Sequence, residues 1–294
     1  MTYLSLSYNS ISEFFQIARE RYEMLLLRRQ GAAPPWTEDT HLARWRFCNV
    51  FREDDRTTDW FRRELRAPLS DQVGAVLRAT YIFRFFNRIE TGELLKDMLL
   101  NDEFCPDEAR DLLAGRSPLV TGAYMIKTPA GMNKLEGVLQ CVEHFLPESE
   151  RLAELIKDSR KMSVAHRALT QYPYMGNFMA YQITCDLRYT TVLRDATDLL
   201  SWVAFGPGSA RGLGWIEAND PSVYNYNSEA DIDPMLEWVS VLLSESRRRN
   251  HWPRHFPSWE ASTVQHWLCE YDKYKRAQQG QKLKRAYNPE QEKV

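Results

Sequence analysis

The sequence predicts an all-α protein. Along most of the chain, apolar residues recur with the 3.6-residue period of amphipathic helices, and alternating strand patterns are scarce. Only Leu119–Lys127 has the pattern of a short strand or hairpin. With 294 residues, 44% hydrophobic and 27% charged, the chain can bury a sizeable core. We therefore expect residues 1–280 to form one helical domain, or two packed helical halves, followed by a polar tail at 281–294.

Capping residues and apolar stripes place the individual helices. The first is expected to begin at the capping box Ser10–Glu13 and to end at Gly31. Its apolar stripe consists of Phe14, Ala18, Tyr22 and Leu25. Asp233 and Pro234 have the form of an N-cap followed by a first-turn proline. The other predicted helices cover roughly residues 41–64, 69–90, 106–114, 132–145, 150–159, 174–189, 196–204 and 258–279.

Composition limits the compartment and the mode of binding. The five cysteines are scattered and form no CxxC pair, which indicates reduced thiols in a cytoplasm rather than disulfides or a zinc site. We expect neither a secretory signal nor a membrane helix, and a cytoplasmic location. Net charge is −2, so any DNA contact must come from local basic clusters. The candidates are Arg247–Arg249 and Lys273–Arg285, although such runs are also typical of solvated helix ends.

The first segment with chemical potential runs from Phe47 to Arg56. On a helix, Asn49, Arg52 and Arg56 share one face. Guanidinium groups donate in pairs to phosphate oxygens, so this face suits a phosphate. The alternative is a surface helix of ion pairs, because four acidic residues lie within reach.

Two further segments place polar groups among apolar ones. Asn87 and Arg88 end a very aromatic run, where a buried amide would need hydrogen-bond partners. Gln182, Asp186 and Tyr189 follow at helical spacing on an otherwise apolar helix. A carboxylate in such surroundings has a raised pKa unless it is paired, which makes Asp186 a candidate general base. The alternative is a buried structural aspartate paired with Arg188 or with a helix N-terminus.

The segment Phe205–Leu213 contains Gly206, Gly208, Arg211 and Gly212 between two predicted helices. Glycines let a backbone approach a phosphate at the start of the following helix. The spacing resembles the hairpin of helix-hairpin-helix DNA-binding elements, and a plain turn is the alternative. Near the C-terminus, Trp267, Glu270 and Tyr274 share one face of what is otherwise an ordinary amphipathic helix.

Several chemistries have no support. The sequence contains no GxxxxGK[ST] loop, GxSxG or HExxH motif, or dinucleotide-binding fingerprint. The six histidines show no metal-ligand spacing. We expect no cofactor, although a divalent metal bridging a phosphate would be compatible with the motifs.

Taken in order, five motifs resemble those of one family: Asn49-Val-Phe-Arg52-x-x-Asp55-Arg56, Phe86-Asn87-Arg88-x-x-Thr91, Tyr181-Gln182-x-x-x-Asp186-Leu-Arg188-Tyr189, Gly206-Pro-Gly208-x-x-Arg211-Gly212-Leu213 and Leu268-Cys269-Glu270-x-x-Lys273. The family is the phage amino acid:DNA transferases, also called α-glutamyl/putrescinyl thymine pyrophosphorylases. It is related to the helical domain fused to some hydroxymethyluracil DNA kinases. The resemblance covers about residues 44–275 and implies a fold like that of helix-hairpin-helix DNA glycosylases.

The resemblance also implies a reaction. In thymidine hypermodification by such bacteriophages, a kinase phosphorylates 5-hydroxymethyluracil in double-stranded DNA. The transferase then displaces the phosphate or pyrophosphate with an amine, for which glycine is the first candidate, and the modified DNA evades host restriction. The kinase would be a separate protein. The expected partners are therefore phosphorylated DNA and an amino acid or small amine, with no membrane.

Site roles follow as hypotheses. We expect Asn49, Arg52, Arg56, Asn87 and Arg88 to bind the phosphate. Asp186 would act on the amine, with Gln182, Arg188 and Tyr189 around it. The expected DNA-backbone contacts are Gly206, Gly208 and Arg211, and the further motif residues are Asp55, Glu270 and Lys273, with no metal ligand assigned. The alternatives are a glycosylase-like enzyme that excises a modified base and a non-catalytic DNA-binding helical module.

Overall fold

The computed structural model describes residues 2–289 and confirms the all-α class. Its β structure in this range is one isolated antiparallel bridge between Trp45 and Ala286. The α-helices are α1 (Thr2–Arg29), α2 (Thr40–Arg44), α3 (Arg56–Phe61), α4 (Val73–Phe86), α5 (Ile89–Leu100), α6 (Pro106–Leu113), α7 (Lys134–Phe145), α8 (Ser149–Ser159), α9 (Met162–Leu169), α10 (Asn177–Leu187), α11 (Pro207–Ala218), α12 (Glu229–Glu245) and α13 (Ala261–Gln278). Short 3-10 turns at Arg52–Asp54 and Leu146–Glu148 and a π turn at Arg62–Arg66 complete the set. Among the described residues, no helix is long and apolar enough to cross a membrane.

The chain divides into two compact units. Unit 1 consists of Met1–Asp55 and Leu200–Val294, and unit 2 of Arg56–Leu199. Unit 1 therefore contains α1, α2 and α11–α13, and unit 2 contains α3–α10.

The core of unit 1 is built on the close approach of α11 and α13. A β-carbon added at Gly212 would lie 2.3 Å from the carbonyl oxygen of Leu268, so only glycine fits there without moving the backbone. Helix α1 packs against α13 as well, where the indole of Trp267 donates to the carbonyl of Phe14 at 3.2 Å. The predicted stripe of α1 is confirmed, because Phe14, Ala18, Tyr22 and Leu25 are all buried.

The C-terminal segment pairs with the segment around α2. The N–H of Tyr287 donates to the carbonyl of Arg44 at 2.9 Å, and the N–H of Arg46 donates to that of Arg285 at 3.2 Å. Leu283 is buried. The predicted polar tail at 281–294 thus has an ordered, partly buried part, and residues 290–294 lie outside the described range.

In unit 2, the core forms around α4, whose residues are almost all buried. The rings of Tyr81 and Phe145 stack at a centroid distance of 3.7 Å, and those of Phe61 and Phe83 at 4.8 Å. These stacks join α4 to α7 and α3 and surround the buried polar groups described below.

Five of the predicted features are wrong, and specific hydrogen bonds account for three of them. The predicted helix 41–64 is broken, since the Asp55 carboxylate accepts from the Asn49 N–H at 3.0 Å and holds the chain in a loop. The predicted helix 196–204 is a series of turns, in which the Asp198 carboxylate accepts the N–H groups of Met162 and Ser163 at the start of α9.

The segment 119–127 is neither strand nor hairpin, because Thr121 donates its N–H to the carbonyl of Phe86 instead of to a neighbouring strand. Asp233 does not cap a helix, since α12 already begins at Glu229 and includes Pro234. Likewise α1 begins at Thr2, so Ser10–Glu13 lies inside the helix. Its predicted end is confirmed, with Gly31 at a φ of 76° just past the last turn.

Candidate functional site

Unit 1 contains a cluster of ionisable and polar side chains that joins the loop after α2 to α13. We call it the Cys48–His266 cluster, and it consists of Cys48, Asn49, Asp55, His266 and Glu270. The sulfur of Cys48, a carboxylate oxygen of Asp55 and a ring nitrogen of His266 all lie within 4.8 Å of one another. These groups come from segments more than 200 residues apart in the sequence.

Asn49 organises the loop side of this cluster. Its N–H donates to Asp55 Oδ1 at 3.0 Å, and its side-chain amide donates to the carbonyl of Asp54 at 2.7 Å. Asn49 is 6% exposed, and its Oδ1 is buried without a hydrogen-bond partner. An unsatisfied buried carbonyl oxygen is costly, which marks this position as one where a ligand could compensate.

Helix α13 supplies the other side. His266 Nε2 lies 3.0 Å from the carbonyl oxygen of Asn49. Because a carbonyl can only accept, Nε2 carries the proton in this hydrogen bond. One turn further, Glu270 Oε2 accepts the N–H of Cys48 at 2.9 Å. The i,i+4 spacing of His266 and Glu270 therefore places both on the face of α13 that meets the loop.

Positive groups flank the cluster. Lys273 donates from Nζ to Glu270 Oε2 at 3.2 Å and to the carbonyl of Arg46, and its Nζ lies 4.8 Å from the ring centroid of Phe47. Arg21 is buried and donates to the carbonyl of Phe47 at 3.3 Å. The cluster therefore combines carboxylates, an imidazole and cations in a small volume.

Burial and neighbouring charges set the ionisation of the acids in opposite directions. Burial raises the pKa of Asp55, and His266 and the Asn49 N–H only partly offset it. Burial and the nearby Glu270 carboxylate likewise raise the pKa of the Cys48 thiol well above its usual range. For Glu270, burial acts upward too, but Lys273, His266 and the Cys48 N–H hold its pKa below its ordinary value. Glu270 is thus anionic at neutral pH.

The structure separates the predicted phosphate face. Asn49 lies in the loop, Arg52 opens the 3-10 turn, and Arg56 is the exposed first residue of α3 in unit 2. The assumption that the three share one helical face is wrong, because the loop interrupts the helix. The phosphate-binding role of these three residues stays a prediction, which depends on the family resemblance and not on a shared helical face.

Asp186 has partners that the sequence did not indicate. Its carboxylate accepts from Arg84 Nε at 2.6 Å and from Arg84 Nη2 at 2.9 Å, and Arg66 Nη1 lies 3.4 Å away. Arg84 and Asp186 are fully buried, and Arg66 is nearly so. Arg84 and Arg66 are thus structural partners of Asp186 that the sequence did not indicate. A carboxylate held between guanidiniums is a poor proton acceptor, which favours a structural role.

Asn87 and Arg88 also have local partners. Asn87 caps α4 with a φ of 45°, and its Oδ1 accepts from Arg84 Nη1 at 2.7 Å. This contact explains why an amide ends the aromatic run, and it turns the predicted phosphate ligand Asn87 into a buried support for Arg84. Arg88 forms an ion pair with Glu90 at 3.2 Å on the partly exposed start of α5.

The remaining residues of this motif lie along α10 and just beyond it. Gln182 Oε1 accepts from the Tyr124 hydroxyl at 3.1 Å. Tyr189 is half-exposed, and the guanidiniums of Arg66 and Arg188 lie 4.6 Å and 4.8 Å from its ring centroid. Their predicted position around a substrate stays a prediction.

The glycine segment serves helix packing more than phosphate approach. A β-carbon at Gly208 would lie 3.2 Å from Cys269 Sγ, and Gly212 abuts Leu268. Arg211, expected to grip DNA, pairs with Asp272 at 3.1 Å and 2.9 Å. Gly206 lies at the N-cap of α11, where an added β-carbon would meet open space. Because turns precede it instead of a helix, the helix-hairpin-helix expectation is not confirmed.

Sequence reasoning brought Asn49, Asp55, Glu270 and Lys273 into the motif set but missed Cys48 and His266. The available signal was the helical spacing of His266, Glu270 and Lys273, which share one face of α13. The basic run 273–285 offers fewer unpaired charges for DNA than expected, because Lys273 forms an ion pair with Glu270 and Lys275 with Glu13. Arg247–Arg249 is exposed.

The described residues form an all-α protein with a cluster of ionisable side chains in unit 1. The sequence profile of the "5-hmdU DNA kinase, helical domain" family matches residues 8–284, and the chain belongs to this family. A relative described as a 5-hmdU DNA kinase, from Bacillus phage SP10, is 24% identical over 273 residues. The match covers 83% of this chain but only 41% of that relative's length. No solved structure matches the chain.

Proposed function

We propose that this chain modifies phage DNA that contains 5-hydroxymethyluracil, as an amino acid:DNA transferase that acts on the phosphorylated base. The family supplies the substrate class, because the relative's name places its action on 5-hmdU in DNA. The match covers 41% of that kinase. We propose the amine-transfer step from the five motifs that resemble the amino acid:DNA transferases.

The observation that carries the proposal is the pairing of Lys273 with Glu270 of the Cys48–His266 cluster. In the proposed reaction, the amine nitrogen attacks the exocyclic methylene carbon. The carbon–oxygen bond to the phosphate breaks, the phosphate leaves with the electron pair, and the amine loses a proton. A carboxylate that stays ionised can bind and orient an incoming amine, and Glu270 is such a group.

The leaving phosphate needs positive charge that is already in place. Arg52, which lies in unit 1 with Glu270, is the proposed donor, from the motif Asn49–Arg56 that the family resemblance singles out. The phosphate role of Arg56 stays a prediction from that motif alone. We assign Asp186 to holding Arg84, rather than to the amine, because both groups are fully buried in one ion pair.

The test is mass analysis of nucleosides after phosphorylated 5-hydroxymethyluracil DNA is incubated with the protein and glycine or another amine. The expected product is an aminated thymine derivative with release of phosphate. Glu270→Gln should reduce its formation, while Glu237→Gln, an exposed carboxylate on α12, serves as the matched control. Base loss would instead identify a glycosylase, and unchanged DNA would indicate a binding module.

A further inference from the structure

We infer that Cys48, Asp55 and His266 form a binding site for one divalent transition-metal ion of the zinc class. Their donor atoms, a sulfur, a carboxylate oxygen and an imidazole nitrogen, all lie within 4.8 Å of one another. The inference adds a metal ion to the proposed site. Only the role of that ion in the reaction rests on the proposed function.

The donor set selects the ion. Thiolate and imidazole are ligands for zinc and its neighbours, whereas magnesium and calcium take oxygen ligands. Bond lengths of about 2.0–2.3 Å put the donors of a tetrahedral zinc ion roughly 3.3–3.7 Å apart. From a spread of at most 4.8 Å, side-chain rotations on the order of 1 Å bring the three groups to that geometry.

The surrounding hydrogen bonds match those of a metal site. His266 donates from Nε2 to the Asn49 carbonyl, which fixes the ring and leaves Nδ1 as the nitrogen with a lone pair. Asp55 Oδ1 is held by the Asn49 N–H, which leaves Oδ2 for an ion. In proteins, a ligating histidine commonly donates its second nitrogen to a backbone carbonyl in this way.

Asn49 provides an independent observation. It is 6% exposed, and its side-chain oxygen Oδ1 is buried without a hydrogen-bond partner. The proposed metal ligands Cys48 and Asp55 belong to the same segment of the chain. A neutral carbonyl oxygen of this kind can accept a hydrogen bond from a water that occupies the fourth position of the ion.

The charges balance when the ion binds. The Cys48 thiol releases its proton and becomes a thiolate, so that the thiolate and the Asp55 carboxylate neutralise the two positive charges. Glu270 and Lys273 already form a neutral pair beside them. Three protein ligands leave the fourth position open, which is the arrangement of catalytic rather than structural zinc sites. A phosphate oxygen could take that position in the proposed reaction.

The experiment uses cobalt(II) as a coloured substitute for zinc with the full-length protein. We expect binding of one equivalent, with proton release and a thiolate-to-cobalt charge-transfer band in the near ultraviolet. Cys48→Ser should abolish the band. It should also weaken zinc binding by at least the roughly 10–100-fold that loss of an outer-shell partner costs. Cys105→Ser, at a half-buried cysteine of unit 2, should change neither.

Two further conservative variants separate loss of metal binding from misfolding. His266→Gln keeps a donor toward the Asn49 carbonyl, and Asp55→Asn keeps an acceptor for its N–H, so circular dichroism should be unchanged while metal affinity falls. Failure to bind cobalt or zinc, or a charge-transfer band that persists in Cys48→Ser, would overturn the inference. Because metal binding is measured without DNA or amine, either result stands apart from the transferase assay.

Discussion

The carboxylate of Asp186 receives the guanidinium of Arg84 in two hydrogen bonds, at 2.6 Å from Nε and 2.9 Å from Nη2. Both side chains are fully buried, and Thr58 and Asn87 accept the remaining donors of Arg84 at 3.3 Å and 2.7 Å. A motif aspartate is therefore the anchor of a charged network inside the core of unit 2.

Because of this network, we expect Asp186→Asn to affect the free energy of unfolding before it affects catalysis. Removing the negative charge leaves Arg84 buried with insufficient compensation, so unfolding should become easier by about 3–5 kcal/mol. Chemical denaturation measures the loss. Combining Asp186→Asn with Arg84→Met removes both charges, and we expect the double variant to be more stable than the sum of the single changes implies. A stable Asp186→Asn protein that has lost only amine transfer would restore the catalytic assignment of Asp186.

Gly212→Ala should destabilise unit 1 by about 1–3 kcal/mol, because the added methyl group would collide with the backbone of Leu268 in α13. The matched change is Gly206→Ser at the N-cap of α11, where a β-carbon meets open space and serine is a favoured cap. Thermal melting compares the two proteins. Equal melting temperatures would mean that α11 and α13 are not packed as tightly as described.

The charge on Glu270 should contribute to stability only above mildly acidic pH. Its folded-state pKa lies below the ordinary 4.5, so the contribution is present above that value and disappears as the pH falls through the lowered folded-state pKa. At pH 7 we expect Glu270→Gln to lose about 1.5–3 kcal/mol, the usual worth of hydrogen bonds to a charged group. Denaturation curves recorded from pH 7 to about 3 should converge for the two proteins. A gap that stays constant across this range would contradict the assignment of a lowered pKa.

Arg211→Lys tests whether this arginine serves the fold or DNA. The forked contact with the buried Asp272 cannot be reproduced by lysine, so we expect a loss of about 1–2 kcal/mol, limited because Trp215 and Arg276 also donate to Asp272. Duplex affinity should stay unchanged, since the positive charge is kept. Fluorescence anisotropy with labelled DNA and a parallel melt would distinguish the roles, and weaker DNA binding at unchanged stability would return Arg211 to the DNA contacts.

The helices were largely predictable because their signals are local. The apolar period and the proline at the first turn located α6 at Pro106–Leu113 to within a residue of the prediction. The contacts of Asp198 with α9 and of Asn49 with His266 were not predictable, since periodicity does not state which distant segments meet. The same limit applies to the site: spacing on α13 related His266 to Glu270, but nothing in the sequence indicated that Cys48 and Asp55 would meet His266.

The division of the chain has a consequence for how the protein is made. Unit 2 is continuous, so all its native contacts are available once residue 199 has left the ribosome. Unit 1 joins the two ends of the sequence, and Glu13 of α1 meets Tyr271 of α13, which lies 258 positions further along the chain. During synthesis, the apolar face of α1 has no α13 to pack against until unit 2 has been translated and α13 has followed it. We therefore expect α1 to be the segment that chaperones protect in the nascent chain.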